Sequence, residues 1–182
     1  MIQTTFTYVY SLVSFMDEKL DIVDEDDEVI DVKTRKEAHD KGLRHRSVMF
    51  FVFTPEGKLL MTRRSEDKRF FSGYWSIVLG GHVKSGLSYD EALKKEMEEE
   101  IGLVGDYELL GSFSKELEEE KENVKLYKIV VDPGKIELSP IEFESAHLIE
   151  TKDIEKELED KKLLPETEIV LDFLKKEIDD RT

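Results

Sequence analysis

The sequence predicts an α/β (α+β) sandwich, with a mixed β-sheet between helices and a β-hairpin near the N-terminus. Three observations support this fold class. Short β-branched and aromatic runs alternate with turn signals as far as about residue 149. An amphipathic helix with clear start and stop signals interrupts these runs. Two more helical patterns follow them, so helices are available to cover both faces of the sheet.

Turn residues separate the predicted strands from one another. Residues 24–27 form an acidic turn that joins the first two strands into a hairpin, and the Thr-Pro-Glu-Gly turn at residues 54–57 joins the next two. Residues 65–74 are polar, basic and aromatic and are predicted to form a loop. The predicted strands cover residues 20–23, 28–32, 47–53, 59–62, 75–79 (ending in Gly80-Gly81), 107–117, 124–131 and 146–149, with a charged turn at residues 118–123.

Capping residues delimit the central helix, which is predicted over residues 88–101. Ser88 is a preferred N-cap residue, and Gly102 is a preferred residue just past a helix end. Pro165 suits the start of the last helix. The other helical patterns cover residues 34–41, 151–159 and 166–178.

Length and composition narrow the class of protein. The 182 residues fit a single domain, and 39% hydrophobic residues suffice for a core. The formal net charge of −16 disfavours binding to nucleic acid polymers, because a phosphate backbone repels an acidic surface. An acidic protein that acts on anionic substrates needs metal ions or a local basic patch. The chain has no cysteine, which excludes disulfides and thiolate chemistry and fits a cytoplasmic protein.

Residues 1–15 differ from the rest of the chain because they carry no charge. They lack the basic start of a signal peptide and are short for a membrane span. We interpret them as an extension or a packed arm, so that residues 16–182 form the domain. The alternatives are a membrane anchor or upstream sequence before a true start at Met16. No other stretch of the sequence approaches membrane length, and we expect no membrane partner.

The central helix carries glutamates on its apolar side as well as on its exposed side. At about 100° per residue, Glu100 falls inside the apolar stripe and Glu96 on its edge, with Glu99 further out on the same side. Carboxylates one turn apart repel each other, and burying them unpaired is costly. A divalent cation resolves both problems, and oxygen ligands suit Mg²⁺ or Mn²⁺. Glu91 and Glu98 point away and are interpreted as solvated charges.

The segment from Gly81 to Leu103, GHVKSGLSYDEALKKEMEEEIGL, resembles the Nudix box, a long motif with fixed spacing. The matching residues are Gly81, Glu96, Met97, Glu99, Glu100, Gly102 and Leu103. The resemblance implies a Nudix-like α/β/α sandwich and a pyrophosphohydrolase that cleaves a diphosphate linkage. It also implies that Glu96, Glu99 and Glu100 are catalytic residues and ligands of Mg²⁺, with Mn²⁺ as the alternative. The carbonyl of Gly80 is expected to assist them.

Two positions depart from the box. Leu87 stands in place of its first glutamate, and Lys95 stands in place of its arginine. Lysine lacks the planar fork of arginine, so these changes bear on efficiency more than on metal binding. The general base varies within the family. Candidates outside the helix are Glu118, Glu119, Glu120, Glu142 and Glu144.

The segment upstream of the box is similar to the isopentenyl-diphosphate isomerase branch of the superfamily, in Arg63, Arg64, Lys68, Arg69 and Trp75. We interpret Arg64 and Lys68 as ligands of substrate phosphates, with surface ion pairing as the alternative. His82 stands where that branch has a metal-binding histidine, and we include it among the substrate-binding candidates. His39 and His45 differ in spacing from the branch's other histidines, so no metal site is predicted from them.

One main hypothesis and two alternatives follow. The main hypothesis is a Mg²⁺-dependent hydrolase of a nucleoside diphosphate or a nucleoside diphosphate derivative, with an aromatic side chain among residues 70–75 available to stack on a base. Its partner would be this small-molecule substrate, and the sequence is also compatible with a homodimer. The first alternative is a non-catalytic binding module with a degenerate box. The second is an isomerase, which the absence of the branch's catalytic cysteine disfavours.

Overall fold

The computed structural model describes residues 18–68, 70–117 and 120–179. The expected arm at residues 1–15 and the expected domain start at Met16 lie outside these ranges, so both stay predictions. Within the described ranges, no helix is long and apolar enough to span a membrane.

Nine strands form one mixed sheet in the described part of the chain. They are β1 (Lys19–Val23), β2 (Val29–Thr34), β3 (Arg44–Phe53), β4 (Leu59–Arg64), β5 (Trp75–Ser76), β6 (Leu79–His82), β7 (Tyr107–Glu116), β8 (Lys121–Val130) and β9 (Phe143–Ile149). β3 is central, because it pairs in parallel with β8 along its whole length and meets β1, β6 and β4 on its other side. β2 lies beyond β1, β7 beyond β8, and β5 and β9 pair with β4.

Within the described residues, four α-helices accompany the sheet: α1 (Arg35–Asp40), α2 (Tyr89–Ile101), α3 (Ile154–Leu158) and α4 (Thr167–Asp179). Short 3₁₀ turns lie at Pro133–Lys135 and Thr151–Asp153. α1 and α2 both begin with a capping box, formed by Thr34 and Ser88 respectively. Gly102 ends α2 in the left-handed conformation, with φ 72°. The predicted start and end of the central helix are therefore confirmed.

Alternate side chains of β3 enter two separate cores, because successive residues of a strand point to opposite faces. Phe50 packs with α2 on one face, where Leu93 and Met97 are fully buried. Phe51 packs with α3 and α4 on the other face. Helices thus cover both faces of a mixed sheet, and the predicted sandwich is confirmed.

The predicted strand over residues 75–79 is wrong, because two short strands replace it. β5 pairs with β4, whereas β6 pairs with β3. The Ser76 hydroxyl donates to the Val78 carbonyl at 2.7 Å and accepts from the Val78 N–H at 3.2 Å, which bends the chain between the two strands. Gly80 and Gly81 consequently lie inside β6 and not in a turn after it.

The hairpin between β7 and β8 is tighter than the predicted turn over residues 118–123. The ladder begins at the Glu116–Lys121 pair, so Glu122 and Asn123 belong to β8. This correction matters for the site, because it places Glu122 beside the central strand.

Candidate functional site

The box glutamates of α2 differ in burial in the order that their helix angles predict. Glu100 is 5% exposed, Glu96 is half-buried and Glu99 is exposed. Glu98 is exposed, as expected of a solvated charge. Glu91 is also exposed, but its side chain accepts from the N-cap backbone and so has a structural role that the sequence reasoning did not assign.

Glu100 places a carboxylate among groups that do not compensate its charge. Burial, together with the charges of Glu96 and Glu142, raises the pKa of Glu100 well above its usual range, although a hydrogen bond from the Gly80 backbone acts in the opposite direction. Its Oε2 atom is buried and has no hydrogen-bond partner among the described residues. Because such a group is costly, this position calls for a proton or a cation.

The Glu96 carboxylate lies directly against the backbone of β6. A Cβ atom at Gly81 would lie 2.6 Å from Oε2 of Glu96, so a larger residue there would displace the carboxylate. Gly80 has φ 148°, and a Cβ atom there would lie 2.0 Å from the Val48 carbonyl oxygen. Burial and the charge of Glu99 raise the pKa of Glu96 to about 7.

The two positions that depart from the box have structural explanations. Leu87 is partly buried against the core that α2 covers. The Lys95 Nζ atom lies 3.6 Å from Oε1 of Glu99, one helical turn away. Lys84, in the segment before α2, adds a positive charge that acts on Glu96. Two lysines therefore supply positive charge near the glutamates where the box has an arginine.

Glu142 brings another carboxylate to this place from a distant part of the chain. Its charge raises the pKa of both Glu96 and Glu100, and its Oε2 atom pairs with Lys68. Backbone hydrogen bonds hold it there. The Ser139 N–H donates to the Glu100 carbonyl at 3.0 Å, and the Glu142 N–H donates to the Ser139 carbonyl at 3.1 Å.

The other candidates for the general base have different partners. Glu144 pairs with Arg63, and Glu120 pairs with Lys115 at 2.6 Å. Glu118 and Glu119 lie outside the described residues, as does Arg69 of the basic patch.

Of the two predicted phosphate ligands, Lys68 lies at the glutamate site. Its charge acts on Glu100, and its pairing with Glu142 supports the ion-pair alternative. Arg64 donates through Nη2 to the Phe70 carbonyl at 3.3 Å, and its buried Nε atom has no hydrogen-bond partner within the described ranges. Phosphate binding by both residues stays a prediction.

The aromatic residues of the loop between β4 and β5 occupy two environments. Phe70 is 39% exposed, and Phe71 contacts Tyr74 edge to face at 5.4 Å between ring centroids. Trp75 packs on the other face of the sheet, in the core that α3 and α4 cover, and stacks on His147. Trp75 therefore packs in the core and is not the aromatic residue available to a base.

His82, the remaining predicted substrate ligand, lies in a histidine cluster that we define as His39, His45 and His82. One nitrogen atom of each residue lies within 4.8 Å of the others. The sheet register assembles this cluster, because β3 pairs with β6 and β8. His82 on β6 lies two register positions from His45 on β3, and His45 is the register partner of Glu122 on β8. His39 comes from α1.

Glu122 lies beside the histidine cluster. Its Oε1 atom is 3.2 Å from Nε2 of His82 and 3.6 Å from Nε2 of His45. Burial alone would raise the pKa of Glu122, but the two histidines and the Lys115 ammonium lower it well below its usual range. The carboxylate is therefore ionised.

The imidazoles are in a state that suits metal binding. Burial lowers the pKa of His82 to about 3, so its ring is neutral. The Nδ1 atom of His45 lies 2.9 Å from the Leu43 carbonyl, which only accepts, so Nδ1 donates to it and Nε2 is the nitrogen that faces Glu122. Three nitrogen donors and a carboxylate fit a transition metal such as Zn²⁺. The oxygen donors of α2 fit Mg²⁺ or Mn²⁺ instead.

Comparisons with known proteins agree with this fold. The NUDIX domain family model matches residues 43–168. An uncharacterized Nudix hydrolase of Streptomyces coelicolor is 44% identical over 94 residues, which is 52% of either chain. An isopentenyl-diphosphate Delta-isomerase of Serratia proteamaculans is 33% identical over 99 residues, 54% of this chain and 55% of that one. The chain thus spans about half the length of these two relatives.

A solved structure of a Deinococcus radiodurans protein has the same fold. Its TM-score is 0.73 at 24% identity, and the alignment covers 87% of this chain and 98% of that one. Because the family model matches well over half of the sequence, the chain belongs to the NUDIX domain family. Its curated relatives include proteins named Nudix hydrolases, as the resemblance in the box implied.

Sequence reasoning missed most of the histidine cluster. His39 and His45 were set aside because of their spacing along the chain, and Glu122 was assigned to a turn. The available signal was the position of His82 directly after the glycine pair. The pairing of β3 with both β6 and β8 brings the other members to it, and this pairing is not visible in the local pattern.

The raised pKa of Glu96 predicts how the stability of the metal-free protein depends on pH. Its folded pKa of about 7 exceeds the ordinary value of 4.5, so between these values the folded chain holds a proton that the unfolded chain has released. The free energy of unfolding should therefore fall by about 1 kcal/mol as pH rises through this window, after allowance for partial solvent exposure. Urea denaturation in a chelator at several pH values measures this.

Glu96→Gln should remove that part of the slope, because the amide does not titrate. Glu98→Gln, an exposed glutamate on the same helix, is the matched control and should keep the wild-type slope. Equal slopes for wild type and Glu96→Gln would contradict the burial of an ionisable carboxylate against β6.

Proposed function

We propose that the chain hydrolyses a diphosphate linkage in a nucleoside diphosphate or a nucleoside diphosphate derivative, with Mg²⁺ or Mn²⁺ as its cofactor. One observation carries the proposal. The buried Glu100 carboxylate has an oxygen without a hydrogen-bond partner among the described residues, and it lies near Glu96 and Glu142 in a chain of the NUDIX domain family. The reaction and substrate class are carried over from the family resemblance.

In this proposal Glu96, Glu99 and Glu100 hold the divalent cation, with the Gly80 carbonyl as a further ligand. All four are oxygen donors, which Mg²⁺ and Mn²⁺ prefer. A divalent cation bound there would neutralise charge on the diphosphate and lower the pKa of a bound water. Glu96 and Glu100 must give up protons to become ligands, so cation binding should weaken as pH falls below neutrality.

We assign to Glu142 the role of accepting the proton of the attacking water. It lies beside the cation ligands but belongs to a different segment, so it does not have to serve as a ligand itself. Its ion pair with Lys68 orients the carboxylate. The water then attacks phosphorus in line with the leaving phosphate group. Lys68 and Arg64 supply positive charge for the substrate phosphates, and the exposed ring of Phe70 offers a surface for a base.

The two alternatives predict different products. An isomerase releases neither phosphate nor a monophosphate, and a binding module converts nothing at saturating Mg²⁺ and Mn²⁺. The chain has no cysteine to serve as the isomerase branch's catalytic residue. The packing of Leu87 and the pairing of Lys95 with Glu99 show that the changes in the box are accommodated.

Glu100→Gln should lower kcat/KM at least roughly 100-fold, because it removes the charge of a principal cation ligand. The measurement is release of phosphate or a monophosphate from a panel of nucleoside diphosphates and their sugar or dinucleotide derivatives with Mg²⁺. Glu98→Gln is the matched control, since it makes the same change at an exposed position of α2, and it should keep wild-type turnover. Equal turnover by wild type and Glu100→Gln would refute the assigned role.

Glu142→Gln should lower kcat by roughly 100-fold or more and leave Mn²⁺ affinity nearly unchanged, because it removes a proton acceptor and no ligand. Glu144→Gln, two residues further along the chain in β9 and paired with Arg63, is the control and should behave as wild type. Turnover assays at saturating substrate measure kcat. Mn²⁺ titration followed by electron paramagnetic resonance measures the Mn²⁺ affinity separately. Loss of Mn²⁺ binding with the same loss of kcat would instead make Glu142 a ligand.

We also propose that the histidine cluster, with Glu122, binds a second cation, a transition metal. The support is the convergence of three histidine nitrogens and an ionised carboxylate, and the similarity to the isomerase branch. In this proposal His82 contacts a metal, so it acts on the substrate only through that ion.

The protein should therefore bind one equivalent of Co²⁺ or Zn²⁺. His45→Gln and His82→Gln should each lower the affinity for this ion by roughly 10-fold or more. Visible absorption of bound Co²⁺ and mass spectrometry of retained Zn²⁺ are the readouts, so the test does not depend on activity. His147→Gln, which stacks on Trp75 outside the cluster, should bind as wild type. Full Zn²⁺ retention by His45→Gln and His82→Gln would refute the second site. Glu100→Gln, which changes the glutamate site, should retain Zn²⁺ as wild type does.

A further inference from the structure

β2 is an edge strand with an exposed apolar surface. Its sheet partner among the described residues is β1, and it ends the order of the sheet. Val29, Ile30 and Val32 are 49%, 64% and 42% exposed. Edge strands with exposed apolar side chains are templates for pairing with another strand.

The backbone of β2 has hydrogen-bonding groups directed outward. The Arg35 N–H, just after the strand, donates to the Glu18 carbonyl at 2.7 Å and so points toward β1. Direction alternates along an antiparallel ladder, so the N–H and carbonyl groups of Val32 and Thr34 point away from β1. A β-bulge at Ile30 interrupts the alternation before them. The Val32 N–H donates to Oδ1 of the neighbouring Asp31 at 2.7 Å. A second strand can replace this local contact.

We propose that β2 pairs with β2 of a second copy of the chain, antiparallel and about a two-fold axis at Val32, to give a homodimer with a continuous sheet. In this register Val32 faces its own counterpart across the axis. Asp31 of each copy faces Lys33 of the other, so opposite charges meet twice. The exposed side chains of Val29, Ile30 and Val32 in each copy add apolar surface along the joined strands.

Charge at the two ends of β2 selects the antiparallel direction. The acidic turn at residues 24–28 precedes the strand, and Arg35 and Lys36 follow it. Antiparallel pairing brings the acidic end of one copy toward the basic end of the other, whereas parallel pairing would bring like charges together. The proposal is independent of the proposed hydrolysis.

The contact should be weak and reversible. Asp31 and Lys33 already pair within one copy, with 2.6 Å between Oδ2 and Nζ. Dimerisation therefore replaces ion pairs within each copy by ion pairs between the copies and adds few new ones. A strand of six residues on each side makes an interface below the standard size. The net charge of −16 on each copy also opposes association.

Sedimentation velocity of the full chain over a concentration series tests the proposal. Wild type should shift from monomer to dimer as concentration rises. Asp31→Lys and Lys33→Asp should each weaken dimerisation about fivefold to tenfold, because each places two like-charge pairs across the axis. An equimolar mixture of the two variants should associate as well as wild type, because lysines of one variant then face aspartates of the other. A fold defect would not be repaired by mixing.

Disulfide trapping tests the register, and the absence of native cysteines makes it direct. Val32→Cys should form a covalent dimer under mild oxidation, because directly opposed residues have Cα atoms about 5.5 Å apart. Val29→Cys, an equally exposed position on the same strand, should not, since the two copies of that residue would lie roughly 20 Å apart.

A chain that remains monomeric at all concentrations would overturn the proposal. So would a dimer that both charge variants leave unchanged, because it would use another surface. A Val32→Cys thiol protected from oxidation in a monomeric protein would show that another segment, such as residues 1–15, covers β2 instead.

Discussion

The site depends on the packing of two carboxylates, Glu96 and Glu100, against the backbone of β6. A helix that carries acidic residues on its inner side would normally stand away from a sheet. α2 does not, because Leu93, Met97 and Ile101 on the same side are fully buried. Each such side chain contributes about 1.5–3 kcal/mol, so together they exceed the cost of holding a carboxylate in partial desolvation. The apolar stripe thus forces the glutamates into a place that a cation can stabilise.

Two glycines make this contact geometrically possible, and each does so differently. Gly80 lets β6 approach the Val48 carbonyl of β3, and Gly81 leaves the space that the Glu96 carboxylate fills. A larger residue at Gly80 would push β6 away from the backbone of β3, and a larger residue at Gly81 would displace the Glu96 carboxylate. The glycine pair is therefore required for the close contacts of β6 with β3 and with the Glu96 side chain.

Much of the fold could be predicted because its signals are local. The capping box at Ser88, the left-handed Gly102 and the periodicity of α2 are properties of neighbouring residues, and each is present as expected. The strand over residues 75–79 could not be predicted, because its interruption arises from hydrogen bonds of the Ser76 hydroxyl to Val78. The sequence pattern does not indicate that a serine in a β-rich run will form side-chain hydrogen bonds in place of the backbone hydrogen bonds of the strand.

The candidate site could likewise be predicted where it depends on neighbouring residues of one element. The carboxylates of α2 that we propose as ligands follow from helix angle and burial, whereas Glu142 and the histidine cluster depend on contacts between distant segments. Glu142 was one of five candidates, and its selection rests on hydrogen bonds that join residues 139–143 to the end of α2 and to the loop after β4. His39 and His45 were set aside because their spacing along the chain was the available criterion.

The two candidate cation sites are coupled through β6. Gly81 faces the Glu96 carboxylate, and the next residue, His82, contributes to the histidine cluster. Successive residues of a strand point to opposite sides, so β6 serves one site with each side. A displacement of β6 that loosened the contact with α2 would also move His82 away from Glu122, which lies 3.2 Å from it. Because β3 holds β6 on one side and β8 with Glu122 on the other, the central strand fixes the geometry of both sites together.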